Sequence, residues 1–246
     1  MKSKIKEKAK KKFQKLKFKE GTHIYTVDEK QIPSTSSLIK QFYEDFDTEK
    51  VSYFVAKKKG ISQQQVLDEW TDINLEAIER GNYVHQFAED YCNGLDVKPT
   101  CVQTNAVVEF WDNLPAYYEL VFVELQMCNE EFWYAGTTDF VLLDKRNGSL
   151  VIGDYKTNKD IFKSYNMMLP PFDLLEDSPY NHYQIQFSYY QILLEQLGYR
   201  ISNRLLVWLK HEGGYETYNT SDFSNVLKMT FDDKWRNNTE STKYVF

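Results

Sequence analysis

Apolar and polar positions alternate most clearly in the middle of the chain. Three apolar runs, at 120–127, 138–143 and 150–155, are separated by a break before Ala135-Gly136 and by Lys145-Arg146-Asn147-Gly148. Short apolar runs between turn residues predict strands, here a three-stranded meander. Further on, Tyr183, Phe187, Tyr190, Leu194 and Leu197 step by four and three, which predicts a helix over 180–197 with one buried stripe, stopped by Gly198. The run 205–209 is wholly apolar and predicts a buried strand beside the meander, with 215–218 pairing to it across Gly213-Gly214. Residues 221–235 predict a terminal helix.

The first half has helical periods. Residues 48–58 and 63–92 predict helices. The second region is expected to hold two, the last over about 75–92 and ended by Asn93-Gly94. Another helix spans 105–113, ended near Pro115. Before them, 23–27 predicts a short strand, Asp28-Glu29-Lys30 a turn, and Gln31-Ile32-Pro33 a return. Ser34-Thr35-Ser36-Ser37 then precedes Leu38, Ile39 and Phe42, a helix N-cap. A hydroxyl-rich helix start can also hold a phosphate, although capping alone explains these residue types. The stretch 157–179, with Pro170, Pro171 and Pro179, predicts a long loop.

Composition changes this picture in three ways. The 246 residues, 42% hydrophobic, suffice for one large core or for a core plus a helical subdomain. Charge is uneven: residues 1–19 carry ten Lys and one Glu, a formal +9, against −6 for the whole chain. A basic arm on an acidic body suggests a polyanionic partner, with a solvated tail as the equal alternative. The three cysteines, Cys92, Cys101 and Cys128, have no CxxC spacing. They suggest reduced thiols in the cytoplasm and are too few for a four-cysteine iron–sulfur cluster. The arm lacks the apolar segment of a signal peptide, and no run reaches membrane-spanning length, so no membrane partner is expected.

Candidate chemistry gathers at the strand ends. By alternation Asp139 shares a face with Val141 and Leu143, Asp154 with Ile152 and Lys156, and Glu124 with Leu120 and Phe122. Carboxylates among buried residues are costly unless a cation compensates them, and oxygen ligands suit a divalent metal. On the 75–92 helix, Gly81, His85 and Glu89 share one side; a lone helical histidine is usually structural, but His85 is a candidate ligand. Arg80 is a candidate phosphate contact. Gln186 and Tyr190 lie one turn apart; spacing alone favours a core tyrosine with a neighbouring amide. This set suits metal-assisted hydrolysis, with Lys156 orienting or deprotonating water or stabilising charge. No GxxxxGK[ST], GxSxG or HExxH is present. An Asp139/Asp154 glycosidase pair would leave Lys156 and His85 without a role.

In order along the chain stand Gly81…His85, Glu124, Gly136-Thr137-Thr138-Asp139, Asp154-Tyr155-Lys156-Thr157 and Gln186-x-x-x-Tyr190. This order resembles the PD-(D/E)XK nuclease superfamily, in particular its RecB-type exonuclease branch of phage and mitochondrial genome maintenance exonucleases. The opening His23-x-Tyr25 followed by Ile32-Pro33-Ser34-Thr35-Ser36 is similar too, so the likeness spans about residues 22–210. It implies a restriction-endonuclease-like α/β fold, an α-β-β-β-α-β core with a mixed sheet and an N-terminal helical region. A basic flexible arm (1–21) would precede one nuclease domain (22–246), mainly helical over 22–117 and sheet-based over 118–246. It further implies Asp139, Asp154, His85 and the Tyr155 carbonyl as ligands of one or two Mg²⁺ or Mn²⁺ ions, Glu124 in or beside that shell, and Lys156 as the catalytic lysine. Gln186 and Tyr190, and more weakly Arg80, Ser34 and Ser36, would contact DNA that is single-stranded or has free ends. Thr138-Asp139 stands where the pattern often has Pro-Asp, and the cluster cysteines of some RecB-like nucleases are absent. Any helicase or recombination partner would be a separate chain, and the setting would be cytoplasmic, that of the host if phage-encoded. The alternatives are a silent DNA-binding or scaffolding protein with this fold, and a structure-specific endonuclease.

Overall fold

A computed structural model describes residues 1–237; residues 238–246, the end of the expected nuclease domain, lie outside the described residues. The chain opens with helix α1 (Lys2–Lys12) and a small antiparallel sheet of β1 (Leu16–Lys19), β2 (Ile24–Val27) and β3 (Lys30–Ile32). Four helices follow: α2 (Thr35–Ile39), α3 (Thr48–Lys59), α4 (Gln63–Cys92) and α5 (Val102–Asp112). Then come β4 (Tyr118–Asn129), β5 (Tyr134–Asp144), β6 (Ser149–Lys156), α6 (Pro179–Glu195), β7 (Ile201–Leu209), β8 (Tyr215–Asn219) and α7 (Ser224–Asn237).

The meander forms as expected and makes up one side of a five-stranded sheet in the order β4-β5-β6-β7-β8. Neighbours are antiparallel except β6 and β7, which run parallel. A parallel step cannot be made by a tight turn, and the loop from Asn158 together with α6 provides the crossover. The fold is therefore α/β with a mixed sheet.

Alternate residues of the strands feed two cores. On one face Val141, Leu143, Leu150 and Ile152 pack with Ile185 and Leu193 of α6. On the other, Phe140, Leu142 and Val151 pack with Val84 and Phe87 of α4 and with Val107 and Phe110 of α5. The starts of α2 and α4 carry polar caps, the first of them expected. Ser34 Oγ accepts from the Ser37 N–H at 3.2 Å, and Ser62 and Gln65 form a capping box at α4.

Two expectations are corrected. Residues 1–21 are not a free arm. Ile5, Ala9 and Phe13 recur every four residues, and that stripe is buried in the same core as α6. Leu16–Lys19 then pairs with β2. The lysine run masks a narrow apolar stripe. Residues 63–92 form one helix, not two, because nothing between them breaks the backbone pattern: no Pro is present, and Gly81 costs only about 1 kcal/mol.

Candidate metal centre

Pairing between β5 and β6 begins at Phe140 opposite Gly153. One residue further, at the open end of this pair, Asp139 stands across from Asp154. The freed backbone groups are taken up by side chains: Thr138 Oγ1 donates to the Gly153 carbonyl at 2.9 Å, and the Tyr155 N–H donates to Asp139 Oδ2 at 2.6 Å. Gly153 makes this junction possible. A Cβ there would lie 1.9 Å from the Phe140 ring, a distance no packed side chain tolerates.

The third carboxylate comes from edge strand β4. Its register shifts between Leu120 and Phe122, and Glu124 then adopts φ +47°, a left-handed conformation costly for a non-glycine residue. Glu124 lies between the pairs Val123–Phe140 and Leu125–Thr138, so it faces Asp139. The alternation expected from Leu120 and Phe122 does not hold through this irregular stretch, because the bulge adds a residue. The fourth group arrives from the opposite layer. His85, on the half of α4 that packs against the sheet, places Nδ1 3.2 Å from Asp139 Oδ2 and keeps its side chain 34% exposed. Ligand atoms of His85, Glu124 and Asp139 all lie within 4.8 Å of one another.

Asp154 has a different partner. It is nearly fully buried, and its Oδ1 lies 2.7 Å from Lys156 Nζ. Apart from this ion pair, that oxygen has no partner among the described residues. Lys156 Nζ also donates to Gln186 Oε1 at 3.3 Å and sits 4.4 Å from the centre of the Tyr183 ring. Gln186 in turn donates to the Tyr190 hydroxyl at 2.7 Å. Tyr190 is buried against Gly136, where an added Cβ would come within 2.8 Å of its ring. The QxxxY pair is thus brought to the lysine, with Gln186 half-buried beside it and Tyr190 a core tyrosine that holds Gln186 in place.

The charges in this cluster are strongly perturbed. Burial, with the Asp139 carboxylate second, pushes the Glu124 carboxyl well above its usual range. Burial and Asp139 likewise push Asp154 up, against the pull of Lys156. Asp139 itself is held below its usual value: burial opposes ionisation, but His85 outweighs it. For His85, burial disfavours the imidazolium, yet Asp139 and then Asp154 raise its pKa to about 9. Lys156 is raised as well, its burial outweighed by Asp154. The Glu124 and Asp154 carboxyls, which resist ionisation, crowd the Asp139 carboxylate, and among the described residues only His85 and Lys156 bring positive charge to them. An imidazole nitrogen with carboxylate oxygens is a donor set that could hold a divalent metal cation.

The remaining sequence candidates are placed unevenly. Arg80 stands one residue before Gly81, whose Cβ position faces Thr157 Oγ1 at 3.5 Å, and the Arg80 Nε is buried without a partner among the described residues. Ser34 is occupied in capping α2, while Ser36 is exposed. Tyr155 contributes its N–H to Asp139, and its buried hydroxyl accepts from Trp111 Nε1 at 2.7 Å. Residues that sequence reasoning left without a role include Tyr183, over Lys156, and Thr137, whose hydroxyl shares a 2.7 Å hydrogen bond with Tyr25. The spacing of Tyr183 three residues before Gln186 is the only signal that could have found it.

No family model matches this chain, and no curated protein matches it. A solved structure described as the crystal structure of SSO0001 is similar over 98% of this chain and 87% of its own, with a TM-score of 0.39 and 12% identity. So slight a likeness carries no argument. Among the described residues no helix is long and apolar enough to cross a membrane.

Proposed function

We propose that the protein is a metal-dependent nuclease of the PD-(D/E)XK superfamily, closest to the RecB-type exonucleases. In this reading the helix–β–β–β–helix–β order from α5 to β7 is the restriction-endonuclease-like core, and DNA with a free end or a single strand is the substrate. The observation that carries the proposal is the convergence of His85, Glu124 and Asp139 within 4.8 Å beside the Asp154–Lys156 pair.

A divalent cation held by His85, Glu124 and Asp139 would neutralise the carboxylates and polarise a phosphodiester placed against them. The chain's own groups do the rest. Asp154 and Gln186 aim the Lys156 ammonium, and a lysine whose pKa is raised stays protonated at neutral pH. Of the roles open to Lys156, hydrogen-bond donation to charge developing on the phosphate therefore fits better than proton abstraction. Arg80, with its unpartnered buried Nε, supplies a further phosphate contact.

The test is cleavage of end-labelled linear single-stranded DNA with Mg²⁺, Mn²⁺ or EDTA, wild type beside Lys156→Ala, with circular DNA as a second substrate. Metal-dependent cleavage by the wild type alone supports the reading, and intact circles mark an exonuclease. Binding without cleavage under every metal would replace it by the silent DNA-binding reading. Cleavage by Lys156→Ala at the wild-type rate would overturn the assignment of the lysine.

A further inference from the structure

Helix α1 carries seven lysines in eleven residues and one acid, Glu7. Three basic groups of this region have structural partners: Lys2 pairs with Glu119, Lys8 donates to the Leu197 carbonyl and lies over the Tyr199 ring, and Lys15 bridges Asp28 and Glu130. Lys4, Lys6, Lys10, Lys11 and Lys12 have no acidic partner among the described residues. Lysines at 2/6, 4/8, 6/10 and 8/12 repel one another at helical i,i+4 spacing. Anchoring of the helix by Ile5, Ala9 and Phe13 therefore holds an uncompensated positive ridge in a fixed place.

Beside that ridge lies a groove between α1 and edge strand β4. Lys6 and Lys10 line one wall, Phe13, Phe122 and Leu125 contribute apolar surface, and Gln126 adds an amide. Phe122, Leu125 and Gln126 flank Glu124, the candidate metal ligand on the same strand. We infer that the lysine ridge of α1, with the groove that Lys6 and Lys10 line beside β4, forms a non-specific docking surface for the sugar–phosphate backbone of a nucleic acid, continuous along β4 with the metal centre. The inference rests on the proposed nuclease reading for its substrate class. An anionic membrane surface is disfavoured because the apolar stripe of α1 is buried against the protein, which leaves no apolar face to enter a bilayer. A nucleic-acid backbone needs only the lysines, each of which displaces counterions on contact.

The test is equilibrium binding of a labelled 30-nucleotide single strand by the full-length protein in EDTA, from 50 to 200 mM salt. Wild type is compared with a variant carrying Lys6→Gln, Lys10→Gln, Lys11→Gln and Lys12→Gln, and with one carrying Arg at the same four positions. Glutamine keeps helix propensity and relieves repulsion, and all four side chains are exposed without a hydrogen bond or ion pair among the described residues, so the fold is expected to persist by circular dichroism. Each lysine contributes about 0.7 to the salt slope on single strands, so four contribute about 3. Between 50 and 200 mM salt, wild type should lose about 60-fold more affinity than the Gln variant. The Arg variant should behave as wild type. An unchanged slope in the Gln variant overturns the groove even if wild type cleaves DNA. A slope that falls in a protein that never cleaves leaves the groove standing and removes the nuclease. Preference for phosphatidylserine vesicles over the strand would also overturn it.

Discussion

At the scale of single residues, the site is defined by positions where an ordinary side chain would not fit or would not ionise. Gly153 is the clearest steric case. Phe140 occupies the space a Cβ would need, and its ring is fully buried. Gly153→Ala should lower stability by roughly 2–3 kcal/mol through overpacking, read as a reduced denaturant midpoint. A midpoint equal to wild type would mean that Phe140 has room to move. Glu124 is the clearest electrostatic case. Its carboxyl titrates higher in the folded than in the unfolded chain, as do those of Asp154 and the His85 imidazole. A group whose pKa rises on folding favours the folded state below its unfolded pKa and loses that contribution as pH rises toward the folded value. In EDTA the protein should therefore lose thermal stability as pH rises from about 4 to about 9. Glu124→Gln should flatten that slope, since the amide has no proton to lose. A profile that rises over this window, or one that Glu124→Gln leaves unchanged, would contradict the charge distribution described here. The sequence exposed the identity of these residues but not their states. Nothing in Val-Glu-Leu announces a left-handed glutamate, whereas the closeness of Asp154 and Lys156 follows from their shared strand face and was legible.

At the scale of elements, what could be read depended on how strong the local pattern was. The meander, the 180–197 helix and the strand after it were legible because long apolar runs and turn residues agree with the packing. α1 was not, because its seven lysines outweigh three apolar side chains in any composition-based reading. The stripe Ile5, Ala9, Phe13 was nevertheless present at the spacing of a buried helix face. The consequence is practical. Removing residues 2–19 would strip core side chains and β1 as well as charge, so it cannot isolate the role of the charge. Ile5 is fully buried, and Ile5→Ala should cost about 2–4 kcal/mol of stability. A loss below about 0.5 kcal/mol would show that α1 is docked loosely and would return it to the status of a tail.

At the scale of the whole molecule, the site exists only when both layers close on the sheet. His85 comes from α4 on one face; Glu124 and Asp139 come from neighbouring strands; Lys156 is held by α6 on the other face. Residues 85, 124, 139 and 156 are far apart in sequence, so the unfolded chain offers no comparable site. A cation that binds only the folded state stabilises it by about 2.7 kcal/mol at a hundred times its dissociation constant. For a chain of this size that corresponds to roughly 5–10 °C in melting temperature. Mn²⁺ or Mg²⁺ should therefore raise the melting temperature of the metal-free protein, with more effect at pH 8 than at pH 6, because ligands must shed their protons to bind. His85→Asn should fold, since its side chain is one-third exposed, yet lose most of that rise. The order of motifs along the chain could point to these residues and, through the resemblance, to a shared site, but not to the backbone that brings them together. Their convergence depends on a bulge in β4, a glycine under Phe140 and a helix continuous from Gln63 to Cys92. If His85→Asn kept the full metal-induced shift, the cation would be binding elsewhere, and the acidic cluster would be an electrostatically strained part of the core rather than a metal centre.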